Sequence, residues 1–385
     1  MEPTTLMRNA PRKLEDDVLA RFRRRAAQDD RENRFLSEDL ADLEAAGYLR
    51  AALPTERGGW GLDLAELALQ QRRIARYSPA TALSTSMHHY WVGAAVDLDR
   101  LGHPGIGWVL DDVAAGEIFA SGHAEAGNDV PIALSTTRAQ RTDGGYRFSG
   151  RKHFTSLSPV WTRLGAHAVD TDDPAGPTIV HGFVTRESAG VGTVAVWDTL
   201  GMRATQSHDT VLGAVVPAGD LSHPFTGAAT IWALTLIANV YLGIAERAFE
   251  LAVDGTQSKT AISLPRGTFA NHPFIQHQVA EMYLRIHPVR AMLDSVAADW
   301  SASVDHGEQW GPLVMSAKWH AAGAAQHVVS VAMDVVGGGA FFRRHELERL
   351  YRDARAGGYH PPTDAYAHEA IGKAALGVSP DAPRW

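Results

Sequence analysis

The chain of 385 residues contains no cysteine. This absence excludes disulfide bonds, thiolate metal ligands and a thiol nucleophile, and it gives no indication of an oxidising compartment. Long hydrophobic runs are also missing. The longest, residues 231–244, is shorter than the ~20 residues that a membrane-spanning helix needs and is interrupted by Asn239. No apolar run followed by a cleavage site marks a signal peptide, so we expect a cytoplasmic protein without a membrane partner.

Positive charge is in deficit, since 36 basic residues face 44 acidic ones and the net charge is −8. Phosphate binding favours a basic face, so we expect no nucleic-acid partner. The chain has 18 histidines, but they do not follow a metal-ligand spacing such as His-Glu-x-x-His. We therefore expect no metal site.

Helical patterns cover residues 12–117. Asp63 with Glu66 predicts the start of a helix over residues 64–76, because a side-chain acceptor at this position satisfies unpaired backbone amides. Gly47 predicts the end of the helix before it, since glycine readily adopts the left-handed conformation found there.

Short β-prone runs separated by turns replace the helical period between about residues 118 and 220. Within them, Asp143-Gly144-Gly145 predicts a hairpin, because glycine tolerates the positive φ that tight turns require. After Phe225 the pattern is helical again. The sequence therefore predicts an α+β fold in which helices, then strands, then long helices follow one another.

Three motifs follow one another near the C-terminus: Val-Val-Gly-Gly-Gly over residues 335–339, Leu-Tyr-Arg-Asp-Ala-Arg over 350–355 and Tyr-His-Pro-Pro-Thr over 359–363. They resemble the flavin-contacting end of the acyl-CoA dehydrogenase superfamily. Many members have Tyr-Glu-Gly-Thr in the last motif, and its Glu removes the α-proton of the substrate. Here Pro361 stands at the Glu position, with His360 just before it. The resemblance thus implies a flavoenzyme scaffold without the usual base.

Four more segments resemble the superfamily in order, over residues 119–129, 150–156, 197–205 and 266–278. We interpret the third as a structural turn. The resemblance implies a homotetramer whose subunit has an N-terminal helical domain (1–117), a middle β-barrel domain (118–222) and a C-terminal four-helix bundle (223–385).

The same resemblance implies a flavin cofactor, FAD in preference to FMN. Phe154 is expected to pack on the isoalloxazine ring and Ser156 to lie near its N5 atom. An alternating strand would point both side chains to one face. The residues that the resemblance assigns to flavin binding are Ser121, His123, Phe154, Ser156, Arg266, Phe269, Gln278, Gly337 and Gly338.

One branch of the superfamily uses reduced flavin and oxygen to oxygenate aromatic, sulfur or amine substrates. Its members tend to carry a histidine on an N-terminal helix, a Ser or Thr near N5, and a histidine in the C-terminal segment. His88 or His89, Ser156 and His360 occupy corresponding places, and we predict them as catalytic residues because histidine exchanges protons near neutral pH. This reaction is the favoured interpretation.

Two other functions remain open. The first is α,β-dehydrogenation of an acyl thioester with a displaced base. Some relatives supply the base from the helix matching residues 232–243, but here Ala233 or its neighbours stand at that position, again without a carboxylate. Asp364 and Glu369 are the nearest acids after His360. The second is a catalytically silent partner subunit. The expected partners are a small substrate, either an acyl thioester or an aromatic compound, and a flavin reductase or electron-transfer protein.

Overall fold

The computed structural model describes residues 12–103, 105–129, 133–174, 176–218, 225–262 and 267–379. Five helices come first: α1 (Asp16–Glu32), α2 (Ser37–Ala45), α3 (Leu64–Ala75), α4 (Pro79–Arg100) and α5 (Gly107–Ala115). Seven strands follow: β1 (Phe119–Gly122), β2 (Arg138–Thr142), β3 (Gly145–Thr155), β4 (Arg163–Asp170), β5 (Thr178–Thr185), β6 (Gly192–Val194) and β7 (His208–Pro217). The last helices are α6 (Phe225–Ser258), α7 (Pro273–Ser301), α8 (Trp310–Val336), α9 (Glu346–Arg355) and α10 (Asp364–Leu376). This order confirms the predicted α+β class.

Helix α3 begins as predicted. The Asp63 carboxylate accepts the Glu66 backbone N–H at 3.0 Å, and the Glu66 carboxylate accepts the Asp63 N–H at 3.2 Å. This reciprocal cap satisfies two amides that have no partner within the helix. Gly47, two residues after α2, has φ +76°, which confirms the left-handed turn predicted there.

The strands form one sheet in the order β1-β4-β2-β3-β7-β6, with β5 paired to β4. Thr142 of β2 lies opposite Gly145 of β3, so Asp143 and Gly144 form a two-residue turn. Gly144 has φ +92°, and the predicted hairpin is confirmed.

Strand β3 loses its regular alternation near its end. Its register with β7 shifts between Lys152 and Thr155. Phe154 has φ +57° and Leu157 has φ +64°, values that are uncommon for residues other than glycine. This irregularity, rather than regular pleating, determines where the side chains after Lys152 point.

Helix α6 packs against α3 and α4 as well as against α7 and α8. A Cβ atom at Gly93 of α4 would lie 2.3 Å from the ring of Trp232, so only glycine permits this approach. By length and composition, residues 227–258 would suffice to cross a membrane, but 89% of their most apolar window is buried inside the fold. The apolar surface of α6 is therefore used in helix packing.

Candidate active site

A cavity of about 640 Å³ lies between α4, α6, the sheet and the segment after α9. Apolar side chains of α4 and α6 form part of its wall, among them Leu83, Met87, Leu234 and Ile237. A cavity of this size and apolar character is typical of sites for small organic ligands and cofactors.

Phe154 and Ser156 both line this cavity. The Phe154 side chain is 59% exposed, although a phenylalanine is usually buried. We predicted that the two side chains share a face because they alternate along a regular strand. They do share the cavity, but the end of β3 is irregular, so regular alternation is not the reason. The Ser156 hydroxyl lies 2.7 Å from that of Ser207.

The segment over residues 197–205 was interpreted as a structural turn, but it also forms cavity wall. Trp197, Leu200 and Met202 are among its lining residues. The Trp197 ring meets the Phe154 ring edge-on, with 6.0 Å between centroids. An exposed aromatic ring with a second ring beside it and hydroxyl groups nearby fits a flat, mostly apolar ring system, so the cavity suits the ring of a flavin.

Ser121 and His123 line the cavity beside β1. The Ser121 hydroxyl lies 2.8 Å from His123 Nδ1. The His123 ring has His167 and His181 as neighbours, with centroids at 5.2 and 6.3 Å. Burial, reinforced by these two histidines, holds the pKa of His123 well below its usual value. The ring is therefore neutral at pH 7. Across the described ranges, no three histidine or acidic side chains are grouped so as to hold a metal ion.

A buried ion pair supports this wall. Lys152 Nζ lies 2.6 Å from Glu125 Oε1, and both side chains are fully buried. Burial alone would raise the pKa of Glu125, but hydrogen bonds from Lys152 and Thr137 outweigh it and lower the pKa to about 2. Glu125 lines the cavity as a fully engaged carboxylate, which makes it a poor proton acceptor. No motif in the sequence indicates that Lys152 and Glu125 form this pair.

His360 lines the cavity from the segment after α9. Its Nδ1 atom lies 2.6 Å from the hydroxyl of Tyr241, a fully buried residue of α6. Burial raises the pKa of Tyr241 and lowers that of His360 to about 3, so both groups are uncharged at neutral pH. The tyrosine O–H needs an acceptor, and Nδ1 provides it, which assigns the imidazole proton to Nε2.

His88 and His89 do not line the cavity, contrary to the expectation that one of them faces the flavin. Both are buried in α4. His88 Nε2 donates to Leu49 O at 2.8 Å, and its Nδ1 accepts from the Phe119 N–H at 3.1 Å. Both of its ring nitrogens thus serve the fold. His89 packs edge-on against Tyr48 with 4.8 Å between centroids.

Four other residues assigned to flavin binding, Phe269, Gln278, Gly337 and Gly338, are not among the lining residues of the cavity. Lys259 of the segment after α6 donates to Val336 O at 3.0 Å, and its ammonium lies 4.5 Å from the centre of the Phe269 ring. Phe269 is therefore close to the backbone that leads into Gly337 and Gly338. Gln278 lies on α7. Arg266 falls outside the described residues.

Neither usual base position contributes a carboxylate to the described cavity wall. Ala233 of α6 and Pro361 line it. The lining acids, Glu125 and Asp129, both belong to the segment after β1. The two acids considered as displaced bases are engaged elsewhere: Asp364 accepts from Trp319 Nε1 at 2.6 Å and Glu369 pairs with Lys373 at 3.0 Å.

Two family models match the chain: the N-terminal domain of acyl-CoA dehydrogenase over residues 3–103 and the C-terminal domain over residues 234–375. The putative acyl-CoA dehydrogenase YdbM of Bacillus subtilis is 31% identical over 362 residues, which span 92% of this chain and 93% of YdbM.

A nitrososynthase and a monooxygenase are also similar over most of their length. L-evernosamine nitrososynthase of Micromonospora sp. is 27% identical, over 90% of this chain and 84% of its own. Dibenzothiophene monooxygenase of Rhodococcus erythropolis is 27% identical, over 98% of this chain and 95% of its own. Among solved structures, KijD3 in complex with FMN and dTDP-3-amino-2,3,6-trideoxy-4-keto-3-methyl-D-glucose superposes with a TM-score of 0.83 at 26% identity, covering 96% of this chain and 93% of KijD3.

Proposed function

The chain belongs to the acyl-CoA dehydrogenase family, and from that premise we propose that it is a flavin-dependent monooxygenase that uses reduced flavin and O₂ to oxygenate a small organic substrate. As a flavin-dependent oxidoreductase it shares its scaffold with dehydrogenases. The observation that carries the proposal is the cavity wall, where Ala233 and Pro361 occupy the two base positions and His360, the residue before Pro361, also lines the cavity.

Dehydrogenation of an acyl thioester requires a carboxylate within hydrogen-bond reach of the α-proton. Glu125 does not meet this need, because Lys152 and the Thr137 hydroxyl donate to its Oε1 and the Thr136 N–H donates to its Oε2. His360 is also a poor base, since burial lowers its pKa to about 3. Because neither usual base position carries a carboxylate, we infer a reaction in which the protein donates hydrogen bonds to oxygen instead of removing a proton from carbon.

Bound reduced flavin supplies the two electrons with which one atom of O₂ enters the substrate and the other leaves as water. Phe154 provides an aromatic face for the flavin ring, and the Ser156 hydroxyl provides a hydrogen bond. His360 offers its Nε2–H to an oxygen atom in the cavity, while Tyr241 keeps the imidazole in that tautomer. The apolar side chains of α4 and α6 exclude water from the reaction.

The proposed substrate is a compact organic molecule whose reacting centre is nitrogen, sulfur or an aromatic carbon. The names of the nitrososynthase and the dibenzothiophene monooxygenase support this range. We propose FMN as the flavin, because KijD3, which superposes on 96% of this chain, was solved with FMN. FAD remains the alternative. A separate flavin reductase would deliver the reduced cofactor, and the homotetramer stays a prediction.

The test is to titrate the purified protein with FMN and with FAD, and then to supply the reduced flavin from NADH and a general flavin reductase in air. Candidate substrates are indole, dibenzothiophene and an amino-sugar nucleotide. We expect tighter binding of FMN, oxygenated product, and loss of most product in His360→Ala.

The matched control is His103→Ala, which replaces an exposed histidine and should retain full activity. Anaerobic bleaching of the bound oxidised flavin by an acyl-CoA, with no oxygenated product in air, would instead establish dehydrogenation. Absence of turnover with every donor would favour the silent-subunit interpretation.

A further inference from the structure

Lys318 of α8 is a buried cation beside the candidate active site. Only 2% of the residue is exposed. Its ammonium donates to three backbone carbonyls in one turn: Gly357 O at 2.8 Å, His360 O at 2.5 Å and Pro362 O at 3.0 Å. No carboxylate in the described part of the chain forms an ion pair with it.

Burying a lysine without a counter-ion is costly, and such a group persists where its hydrogen bonds organise the surrounding structure. An ammonium has three protons, and here each has one carbonyl acceptor. All three acceptors lie between Gly357 and Pro362, the stretch that joins α9 to α10 and contains His360. The bonds therefore act on one turn only.

The turn is also fixed from a second side. A Cβ atom added at Gly357 would lie 3.0 Å from both the Ala322 methyl group of α8 and the Tyr241 ring of α6. Ala322 is one helical turn after Lys318 on the same face of α8. Tyr241 then binds His360 Nδ1 at 2.6 Å. Two side chains of α8 and one of α6 thus surround the backbone that bears His360.

We propose that Lys318 is a positioning residue for His360: by holding the carbonyls of residues 357, 360 and 362 it fixes this turn, so that the imidazole keeps Nδ1 on Tyr241 and Nε2–H for the cavity. The inference rests on the proposed function for the role of His360 in the reaction. The geometry of the turn itself is independent of that role.

The electrostatics agree with this arrangement. Burial lowers the pKa of Lys318 to about 8. Burial lowers the pKa of His360 first, and the nearby Lys318 charge lowers it further. The lysine therefore helps to keep the imidazole neutral and available as a donor.

The experiment compares amide hydrogen exchange of the flavin-free protein in Lys318→Met, Lys318→Gln and the wild type. The informative amides are those of Tyr359 and His360, which donate to Ala356 O at 3.0 and 3.3 Å. Loss of the ammonium should speed exchange of this segment by about tenfold or more, as removal of hydrogen bonds worth ~1 kcal/mol each would. Lys318→Gln keeps two N–H donors, so its exchange rates should lie between those of the wild type and those of Lys318→Met.

Lys13→Met, a substitution at an exposed lysine, should leave exchange unchanged. The same variants are then assayed with reduced FMN and O₂. We expect Lys318→Met to form hydrogen peroxide instead of product while flavin affinity changes little. If Lys318→Met does not fold, Lys318→Gln carries the comparison.

The two proposals fail in different ways. Wild-type exchange rates in the 357–363 segment of both Lys318 variants would overturn the positioning role, even if oxygenation is established. Faster exchange in an enzyme whose wild type makes no oxygenated product would leave the fixed turn intact and refute the proposed function. Faster exchange with unchanged product yield would also overturn the inference, because the turn would then not control His360.

Discussion

His360 is neutral because of its surroundings, and this state sets what it can do. Its pKa of about 3 results chiefly from burial. A neutral imidazole with Nδ1 engaged by Tyr241 is a fixed donor through Nε2, whereas an imidazole with an ordinary pKa would serve as a base. The sequence pointed to this histidine through its place in a motif. The sequence could not predict the tautomer of His360, because its hydrogen-bond partner Tyr241 lies more than a hundred residues earlier in the chain.

Glu125 gives a prediction about pH. Its pKa falls from the usual 4.5 to about 2 in the fold, so its stabilising contribution is complete above pH 4.5 and is lost as the pH falls from 4.5 to 2. The shift corresponds to roughly 3 kcal/mol. In Glu125→Gln, the free energy of unfolding should be several kcal/mol lower at pH 6, because Lys152 loses its partner.

Denaturant unfolding from pH 6 to pH 2 measures this prediction. The difference between wild type and Glu125→Gln should narrow by roughly 3 kcal/mol towards low pH. In Glu308→Gln, a substitution at an exposed glutamate, the free energy of unfolding should change with pH as it does in the wild type. A difference that does not depend on pH would show that the carboxylate is not ionised in the way described.

Among the elements, those governed by local sequence were predictable and those governed by packing were not. The cap of α3 and the turn between β2 and β3 follow from Asp63, Glu66 and Gly144, which act on their immediate neighbours. The irregularity at Phe154 depends on pairing between β3 and β7. Periodicity in one strand cannot predict such a shift, because its cause lies in a second strand.

The turn between α9 and α10 gives the prediction at this scale. In Gly357→Ala the new methyl group would press against Ala322 and Tyr241 at 3.0 Å. We expect a loss of about 1–3 kcal/mol in the free energy of unfolding, as overpacking typically causes, together with lower product yield because His360 moves. Thermal and denaturant unfolding measure the first effect.

Gly323→Ala is the matched control, because Gly323 lies on α8, the helix against which the turn packs, and nothing lies within 4 Å of its added Cβ atom. That substitution should raise stability by about 0.5–1 kcal/mol, because alanine favours a helix interior over glycine. Equal effects of the two substitutions would contradict the close packing of the turn.

Across the whole molecule, the cavity exists only where parts distant in sequence meet. Its wall combines Ser121, Phe154, Trp197, Ala233 and His360. Because the motifs occur in the same order as in the family, the sequence predicted the fold and most of the segments that form this wall. Lys318, Tyr241 and the role of Trp197 were missed, because their importance comes from contacts between elements. The division into three domains stays a prediction.

We expect this scaffold to transfer oxygen instead of abstracting an α-proton. The most direct measurement is mass spectrometry of the product formed with reduced FMN under isotopically labelled O₂ in unlabelled water. We expect one labelled oxygen atom per product molecule, and little labelled product with His360→Ala. Product that carries oxygen from water, or an unsaturated acyl thioester formed without O₂, would contradict this expectation.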